Sequence, residues 1–104
     1  MIGIDLVNIP EFQRQLEVGG AGLLERVFDS SELHDRRIEH LAGLWAAKEA
    51  VWKANSGTTF ASSEVVIFHD ATGKPFARTP SGHFEVSISH HGEYAVAIAL
   101  RVDS

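Results

Sequence analysis

The sequence predicts an α+β fold in which one long helix packs on a small antiparallel sheet. Helix-forming residues with helical periodicity occupy the first half of the 104-residue chain. Short β-branched or aromatic segments, separated by turn residues, occupy the second half, and an apolar segment at the N-terminus adds one more strand. The length is close to that of one ordinary domain, so residues 1–104 are expected to form a single domain.

The N-terminal segment is the first element. Met1–Ile9 is apolar and β-branched, with Asp5 as its only charge, and this composition is typical of a buried strand. Asn8 and Pro10 then indicate a helix start, with Asn8 or Ile9 near the cap, and the Gly19-Gly20 pair ends that helix. Further short helices are expected over Gly22–Val27 and, capped at Asp29, Ser30 or Ser31, through Glu32 to Arg37; Ser30-x-x-Leu33 lacks a full capping box.

The long helix is predicted over Ile38–Ala54, rich in alanine and leucine, with Asn55-Ser56-Gly57 as a left-handed stop. At 100° per residue it presents two sectors. One sector is broad and mostly apolar, and contains Leu41, Leu44, Trp45, Lys48 and Trp52. The other spans about 60° and contains Ala42, Ala46, Glu49 and Lys53, so that two minimal side chains leave room beside an acid and a base.

Four strands are expected after this helix, over Glu64–Phe68, Phe76–Thr79, His83–Ser89 and Tyr94–Val102. In the third, Phe84, Val86 and Ile88 alternate with Glu85, Ser87 and Ser89. In the last strand, the larger apolar side chains are expected to face the core, namely Tyr94, Val96, Ile98 and Leu100. Its alanines then form a small-residue face that another element or another subunit could approach closely.

Composition excludes several classes of protein. The chain has no cysteine, which excludes disulfide scaffolds, thiolate metal sites and cysteine nucleophiles and fits a reducing compartment. The formal net charge of −5 argues against non-specific nucleic-acid binding. No apolar run reaches the roughly 20 residues of a membrane helix, and no signal peptide is recognisable.

Asp5, Glu49 and Lys53 are the first candidate site. A carboxylate in the middle of an apolar strand needs a partner or a cation, so Asp5 is either a structural cap or half of a two-carboxylate site. Mg²⁺ commonly takes one or two carboxylates together with substrate phosphates. Glu49 and Lys53 are either the other half of that site or a solvent-exposed ion pair one helical turn apart.

Ser87-Ile88-Ser89-His90-His91 is the second candidate site. Two hydroxyls followed by two histidines at a strand end provide donors suited to phosphate oxygens, the alternative being a surface hairpin without a role. Lys74, in Gly73-Lys74-Pro75, is a hairpin-turn lysine that could also reach a phosphate. A basic cluster at His34, Arg36, Arg37 and His40 is either a solvated face or a contact for an acidic partner.

The candidate residues belong to short sequence blocks that follow one another in a recognisable order. In chain order the blocks are GIDLVNI, Phe28…Glu32, LAGLWAAKEAVWKA, GKP and SISHHGEYAVAIAL. The chain resembles, over nearly its whole length from Ile2 to Leu100, the small holo-acyl-carrier-protein synthase type of 4′-phosphopantetheinyl transferase. The combination of G-x-D, W-x-x-K-E-A-x-x-K and S-x-S-H in this order is the specific part of the resemblance.

The resemblance implies an enzyme that moves 4′-phosphopantetheine from coenzyme A to a serine of an apo-acyl carrier protein or related carrier domain, releasing adenosine 3′,5′-bisphosphate. It implies Mg²⁺ on Asp5 and Glu49, phosphate contacts from Lys53 and Lys74, and nucleotide contacts from Ser89 and His90. Glu49 is our hypothesis for the base, acting directly or through a water on the metal. The family further implies a cytoplasmic homotrimer with sites at subunit interfaces, serving fatty-acid biosynthesis or another carrier-dependent pathway of lipid or secondary metabolism.

Two positions depart from the family pattern. Glu11 and Leu44 stand where members usually carry arginine, and the first of these ordinarily supplies positive charge to an acidic carrier. Two other functions therefore stay open. One is a non-catalytic module that binds coenzyme A or a nucleotide. The other is a structural trimerising domain, which would leave the carboxylates of Asp5 and Glu49 unexplained.

Overall fold

The computed structural model describes residues 1–55 and 60–102, and the predicted α+β class is confirmed. The described helices are α1 (Ile9–Gly19), α2 (Ala21–Val27) and α3 (Ile38–Ala54), with short 3₁₀ turns at Ser30–Glu32 and Ser62–Glu64. The strands are β1 (Ile2–Asn8), β2 (Val66–His69), β3 (Pro75–Thr79), β4 (Gly82–His91) and β5 (Tyr94–Arg101). They form one sheet in the order β1-β5-β4-β3-β2, with every neighbouring pair antiparallel. Helix α3 packs across β1, β5 and β4.

The close approach of α3 to the sheet depends on small residues on both sides. A Cβ atom on Gly3 would lie 1.9 Å from the Ala50 carbonyl oxygen and 2.7 Å from the Ala54 nitrogen, so only glycine fits at this crossing. The alanines of β5 and those of α3 are almost completely buried; they are Ala95, Ala97 and Ala99, and Ala42, Ala46, Ala47, Ala50 and Ala54. Backbones therefore approach to a distance that larger side chains would prevent.

The two faces of β5 are the reverse of those expected. The prediction that Tyr94, Val96, Ile98 and Leu100 face the core is wrong, because α3 covers the alanine face instead. β1 is likewise not buried on both sides: Ile2, Ile4 and Leu6 are exposed, and their register partners are Leu100, Ile98 and Val96 on β5. These apolar side chains form a continuous outer face on the two strands. We call it the outer apolar face.

Helix boundaries follow the local capping signals. Asn8 caps α1 by accepting a hydrogen bond from the Glu11 nitrogen at 2.9 Å, and α3 has the predicted bounds. The helix expected from Glu32 to Arg37 is wrong. Asp29 and Glu32 form a full capping box around a single 3₁₀ turn, which ends at Leu33.

Helix α3 ends at Ala54, directly before the predicted stop. The first residue of that stop, Asn55, has φ −102° and so is not in the left-handed region. Ser56 and Gly57, the rest of the predicted stop, lie outside the described residues. Within residues 1–55 and 60–102, no helix is long and apolar enough to cross a membrane.

Substituting Gly3 with alanine tests the close approach of α3. The added methyl group meets helix backbone, which cannot move as a side chain can, so we expect the protein to lose about 1–3 kcal/mol or more of stability. Chemical denaturation measures the loss. Gly22→Ala is the matched control: its Cβ would meet only the end of the Arg26 side chain, at 3.2 Å, and its helical position favours alanine. Equal stability of the two variants would contradict the close-approach account.

Candidate functional site

Asp5 and Lys53 form an ion pair between β1 and the last turn of α3. Lys53 Nζ lies 2.8 Å from Asp5 Oδ1 and also donates to the Ile4 carbonyl oxygen at 3.3 Å. The Asp5 side chain is 16% exposed and the Lys53 side chain 54%, so the pair lies at the rim of the helix–strand contact. The interpretation of Glu49 and Lys53 as a simple exposed pair is wrong, because Lys53 takes its partner from 48 positions away.

Glu49 lies within electrostatic reach of this pair. Burial raises the pKa of its carboxyl group, and the charge of Asp5 raises it further. A hydrogen bond from Ser62 and the charge of Lys53 act in the opposite direction, without cancelling the rise. Asp5, Glu49 and Lys53, predicted together from the sequence, are therefore brought together by the fold. Ser62 was not predicted, since no local pattern links it to Glu49.

This donor set suits a hard divalent cation only in partnership with a ligand. Among residues 1–55 and 60–102, no group of three or more His, Cys, Asp or Glu side chains is arranged to hold a metal ion. Asp5 and Glu49 offer two carboxylates that repel one another, which a cation between them would relieve. Mg²⁺ characteristically accepts one or two protein carboxylates and completes its six positions with phosphate oxygens and water. The pair thus fits Mg²⁺ bound together with a phosphate-containing substrate.

A cleft of about 280 Å³ opens beside Asp5. It lies between the end of β1 and α1, and its lining includes Glu11, Gln15, Trp45 and Tyr94. The exposed Glu11 therefore adds a second carboxylate to the cleft that begins at Asp5. Any partner that enters this cleft meets aromatic surface and negative charge.

The second group of predicted residues lies elsewhere on the same chain. His90 Nε2 is 2.8 Å from the carbonyl oxygen of Glu39, in the first turn of α3. Glu49 lies ten residues further along the helix, roughly 15 Å away at 1.5 Å per residue. Ser89 lies on the opposite face of β4, and Lys74, in the turn before β3, forms an ion pair with Glu85. The fold of one chain does not bring these residues to Asp5.

His90 instead lines a cleft of about 230 Å³ at the other end of α3. Gly43 makes room for it, since a Cβ there would lie 2.9 Å from His90 Nε2 and 3.0 Å from the Ile88 side chain. Pro75, next to Lys74, also lines this cleft. The cleft combines an apolar floor with imidazole groups at its edge, a combination suited to a flat polar ring bearing a phosphate.

Lys48 was placed by its helical position on the apolar sector of α3, and it is fully buried. Its ammonium group is paired with the carboxylate of Glu32 at 2.8 Å. Burial lowers the pKa of Lys48, although the charge of Glu32 acts in the opposite direction. The sequence carried a usable signal here: a lysine within an apolar sector must reach water or an anion, because an unpaired buried ammonium is very unfavourable.

Comparison with known proteins gives concordant matches. Residues 1–99 match the family described as the 4′-phosphopantetheinyl transferase superfamily. A holo-[acyl-carrier-protein] synthase of Mycobacterium bovis is 35% identical, over 95% of this chain and 93% of that protein. The Helicobacter pylori holo-[acyl-carrier-protein] synthase, solved in complex with coenzyme A, superposes with a TM-score of 0.86 at 26% identity, covering 98% of this chain and 100% of that one.

A second similar structure carries the same type of ligand. The Bacillus anthracis holo-(acyl-carrier-protein) synthase, in complex with coenzyme A (3′,5′-ADP), has a TM-score of 0.78 at 31% identity. The match covers 94% of this chain and 91% of that chain. These proteins resemble the present chain in both sequence and fold over almost the full length.

Glu49→Gln is expected to stabilise the protein in the absence of divalent cations. Because the raised pKa means that folding disfavours the ionised carboxylate, the Glu49 contribution to stability falls as pH rises through its folded-state pKa. The neutral amide removes this effect, and a gain of about 1 kcal/mol corresponds to a Tm increase of roughly 4–8 °C. Thermal unfolding at pH 5 and pH 8 measures it, with the larger gain expected at the higher pH. Glu25→Gln, on an exposed face of α2, is the control; equal shifts in both variants would contradict the prediction.

Proposed function

This chain belongs to the 4′-phosphopantetheinyl transferase superfamily, and we propose that Asp5, Glu49 and Lys53 form its catalytic centre. The enzyme transfers 4′-phosphopantetheine from coenzyme A to an apo-carrier protein. The observation that carries the proposal is the proximity of two carboxylates and one ammonium group, from β1 and α3, with Asp5 also lining a cleft. This is the charge arrangement that binding of a pyrophosphate with Mg²⁺ requires.

Asp5 and Glu49 would hold Mg²⁺ together with the pyrophosphate oxygens of coenzyme A. When bound, Mg²⁺ supplies charge neutralisation at the pyrophosphate and orients it for attack. Lys53 lies beside Asp5 with its ammonium group exposed, so it can turn a donor toward the same phosphates. Since phosphoryl transfer depends mainly on positioning and charge stabilisation, these three side chains cover most of what the reaction requires.

In the reaction, the hydroxyl oxygen of the acceptor serine forms a bond to the phosphorus that carries pantetheine. The bond from that phosphorus to the bridging oxygen breaks, and adenosine 3′,5′-bisphosphate leaves with its electron pair. The serine gives up its proton, and Glu49 is our candidate to accept it.

We propose that the nucleotide end of coenzyme A is bound by a neighbouring subunit of a homotrimer. His90 contacts Glu39, roughly 15 Å along α3 from Glu49, Ser89 lies on the other face of β4, and Lys74 pairs with Glu85. The outer apolar face supports association, because it leaves Ile2, Ile4, Leu6, Ile98 and Leu100 between 43% and 67% exposed. In a cyclic trimer each subunit contacts the next through unlike surfaces, so one chain's carboxylates can meet the next chain's strand end.

Transfer to carriers tests the activity directly. The protein is incubated with coenzyme A, Mg²⁺ and apo-carriers from fatty-acid and secondary-metabolite synthesis, and mass spectrometry detects the addition of one phosphopantetheine group. Binding of coenzyme A without transfer to any carrier would favour a non-catalytic binding module. Loss of both would contradict the proposed function.

Asp5→Asn and Glu49→Gln are each expected to lower kcat by about 10²–10³, because either change removes a charge on which the reacting phosphates depend. Lys53→Met is expected to lower kcat by roughly 10² for the same reason. Steady-state kinetics at several Mg²⁺ concentrations measure these effects, with Glu25→Gln as the charge-removal control. Glu49→Gln with Mg²⁺ binding retained and full activity would exclude Glu49 as the base.

Mixing two inactive variants tests the shared site. Asp5→Asn damages only the carboxylate half and His90→Ala only the nucleotide half. Subunit exchange therefore regenerates sites with two intact halves, and random 1:1 mixing would restore about a quarter of wild-type activity. Native mass spectrometry verifies the mixed trimers. If mixed trimers form and activity does not recover, each site lies within one chain.

A further inference from the structure

The ion pair between Glu32 and Lys48 is completely buried and lies outside the proposed catalytic centre. Lys48 Nζ is 2.8 Å from Glu32 Oε1, and both side chains are 0% exposed. The Lys48 ammonium group also lies 5.6 Å from the centroid of the Phe28 ring. A buried pair of this kind is weak as a source of stability, because desolvation offsets the attraction, and its best-attested role is to select one arrangement among several.

Both partners are also bound to the backbone of other elements. Lys48 donates to the carbonyl oxygen of Val65, at the entry to β2. Glu32 accepts from the Ile67 nitrogen at 2.7 Å and from the Asp29 nitrogen at 2.8 Å. The side chain of Lys48 therefore ties α3 to two separate segments, and every contact has a defined direction.

Among the described residues, the side of α3 that faces β1 and β5 carries one directional contact, made by Lys53 to Asp5 and Ile4 in the last turn of the helix, and otherwise packs through small side chains. Where it crosses β1 and β5, both surfaces consist largely of alanine and glycine, as at the contact of Gly3 with Ala50 and Ala54. Such a surface permits close packing but has few protruding side chains that interlock. Rotation about the helix axis is therefore weakly opposed on that side.

We infer that the buried Glu32–Lys48 pair sets the rotation of α3 and so positions Glu49 against Asp5. This rests on the proposed function, since it assigns Glu32 and Lys48 as positioning residues for that centre. Glu49 follows Lys48 directly, so any rotation of Lys48 about the helix axis is shared by Glu49. Ser62, which lies close enough to Glu49 to affect its pKa, is three residues before Val65, so the segment that Lys48 binds also carries this neighbour of Glu49.

The geometry makes a small rotation costly. At an outer radius of roughly 6 Å, a helix rotation of about 20° moves a side-chain atom by about 2 Å. A misplacement of about 1 Å of a positioned group can lower a rate by roughly 10². The pair need not contact substrate to control the reaction, because it acts through the position of Glu49.

The double variant Glu32→Gln/Lys48→Met tests the inference. It removes both charges together, so no unpaired ion is left in the core, while the volumes stay similar. We expect kcat to fall about 10- to 100-fold and the Mg²⁺ requirement to rise, with a smaller change in KM for the carrier, because Trp45 is the one lining residue of the α1 cleft that lies on α3. Crystal structures give a readout independent of activity: α3 should be rotated relative to the sheet, with the Glu49 carboxylate displaced by about 1 Å or more.

Val51→Ala is the matched control. Val51 is also fully buried on α3 but contributes only packing, so its loss should lower Tm while keeping kcat within about twofold of wild type. The inference fails if the double variant retains wild-type kcat and an unrotated α3. It also fails if Val51→Ala has the same Tm as the double variant and loses as much kcat. If the double variant does not fold, Glu32→Asp, which keeps both charges and shortens the carboxylate side chain, is judged by the same criteria. If the wild-type protein has no transferase activity and α3 is nevertheless rotated in the double variant, the proposed function is refuted and the positioning role of the pair is supported.

Discussion

The close packing of α3 against β1 and β5 is the constraint on which the rest of the structure depends. It requires a residue without a side chain at Gly3, where the backbone of α3 passes over the strand, and alanines elsewhere along the contact. Because the helix occupies the small-residue face, the branched and aromatic side chains of β5 are left on the outside. The same contact brings Asp5 beside Lys53 and within reach of Glu49.

The charge arrangement at this contact is unfavourable for the isolated fold and useful for chemistry. Two carboxylates are held near one another at a partly buried site, and only Lys53 is paired directly with one of them. A protein selected for stability alone would place an apolar or neutral residue at Glu49. In the proposed catalytic centre, that negative charge would stay poorly compensated until a cation and a pyrophosphate bind.

Helix α3 is thus held by two contacts of different character. The alanine and glycine side fixes the distance between helix and sheet through dispersion and burial, which have little directional preference. The Glu32–Lys48 side adds hydrogen bonds with defined partners in Asp29, Val65 and Ile67. Distance and rotation of the helix are therefore controlled by separate interactions.

The sequence by itself determined the elements whose signals are local: the bounds of α3, the Asn8 cap of α1, the strand positions within a few residues, and Asp5 and Glu49 as candidates for one site. Tertiary structure alone decided which face of β5 is covered, because strand alternation defines two faces without stating which one packs on a helix. It also decided the partners of Lys53 and Lys48. Those partners lie 48 and 16 positions away, and no local periodicity relates them, since ion pairs form wherever chain topology brings opposite charges together.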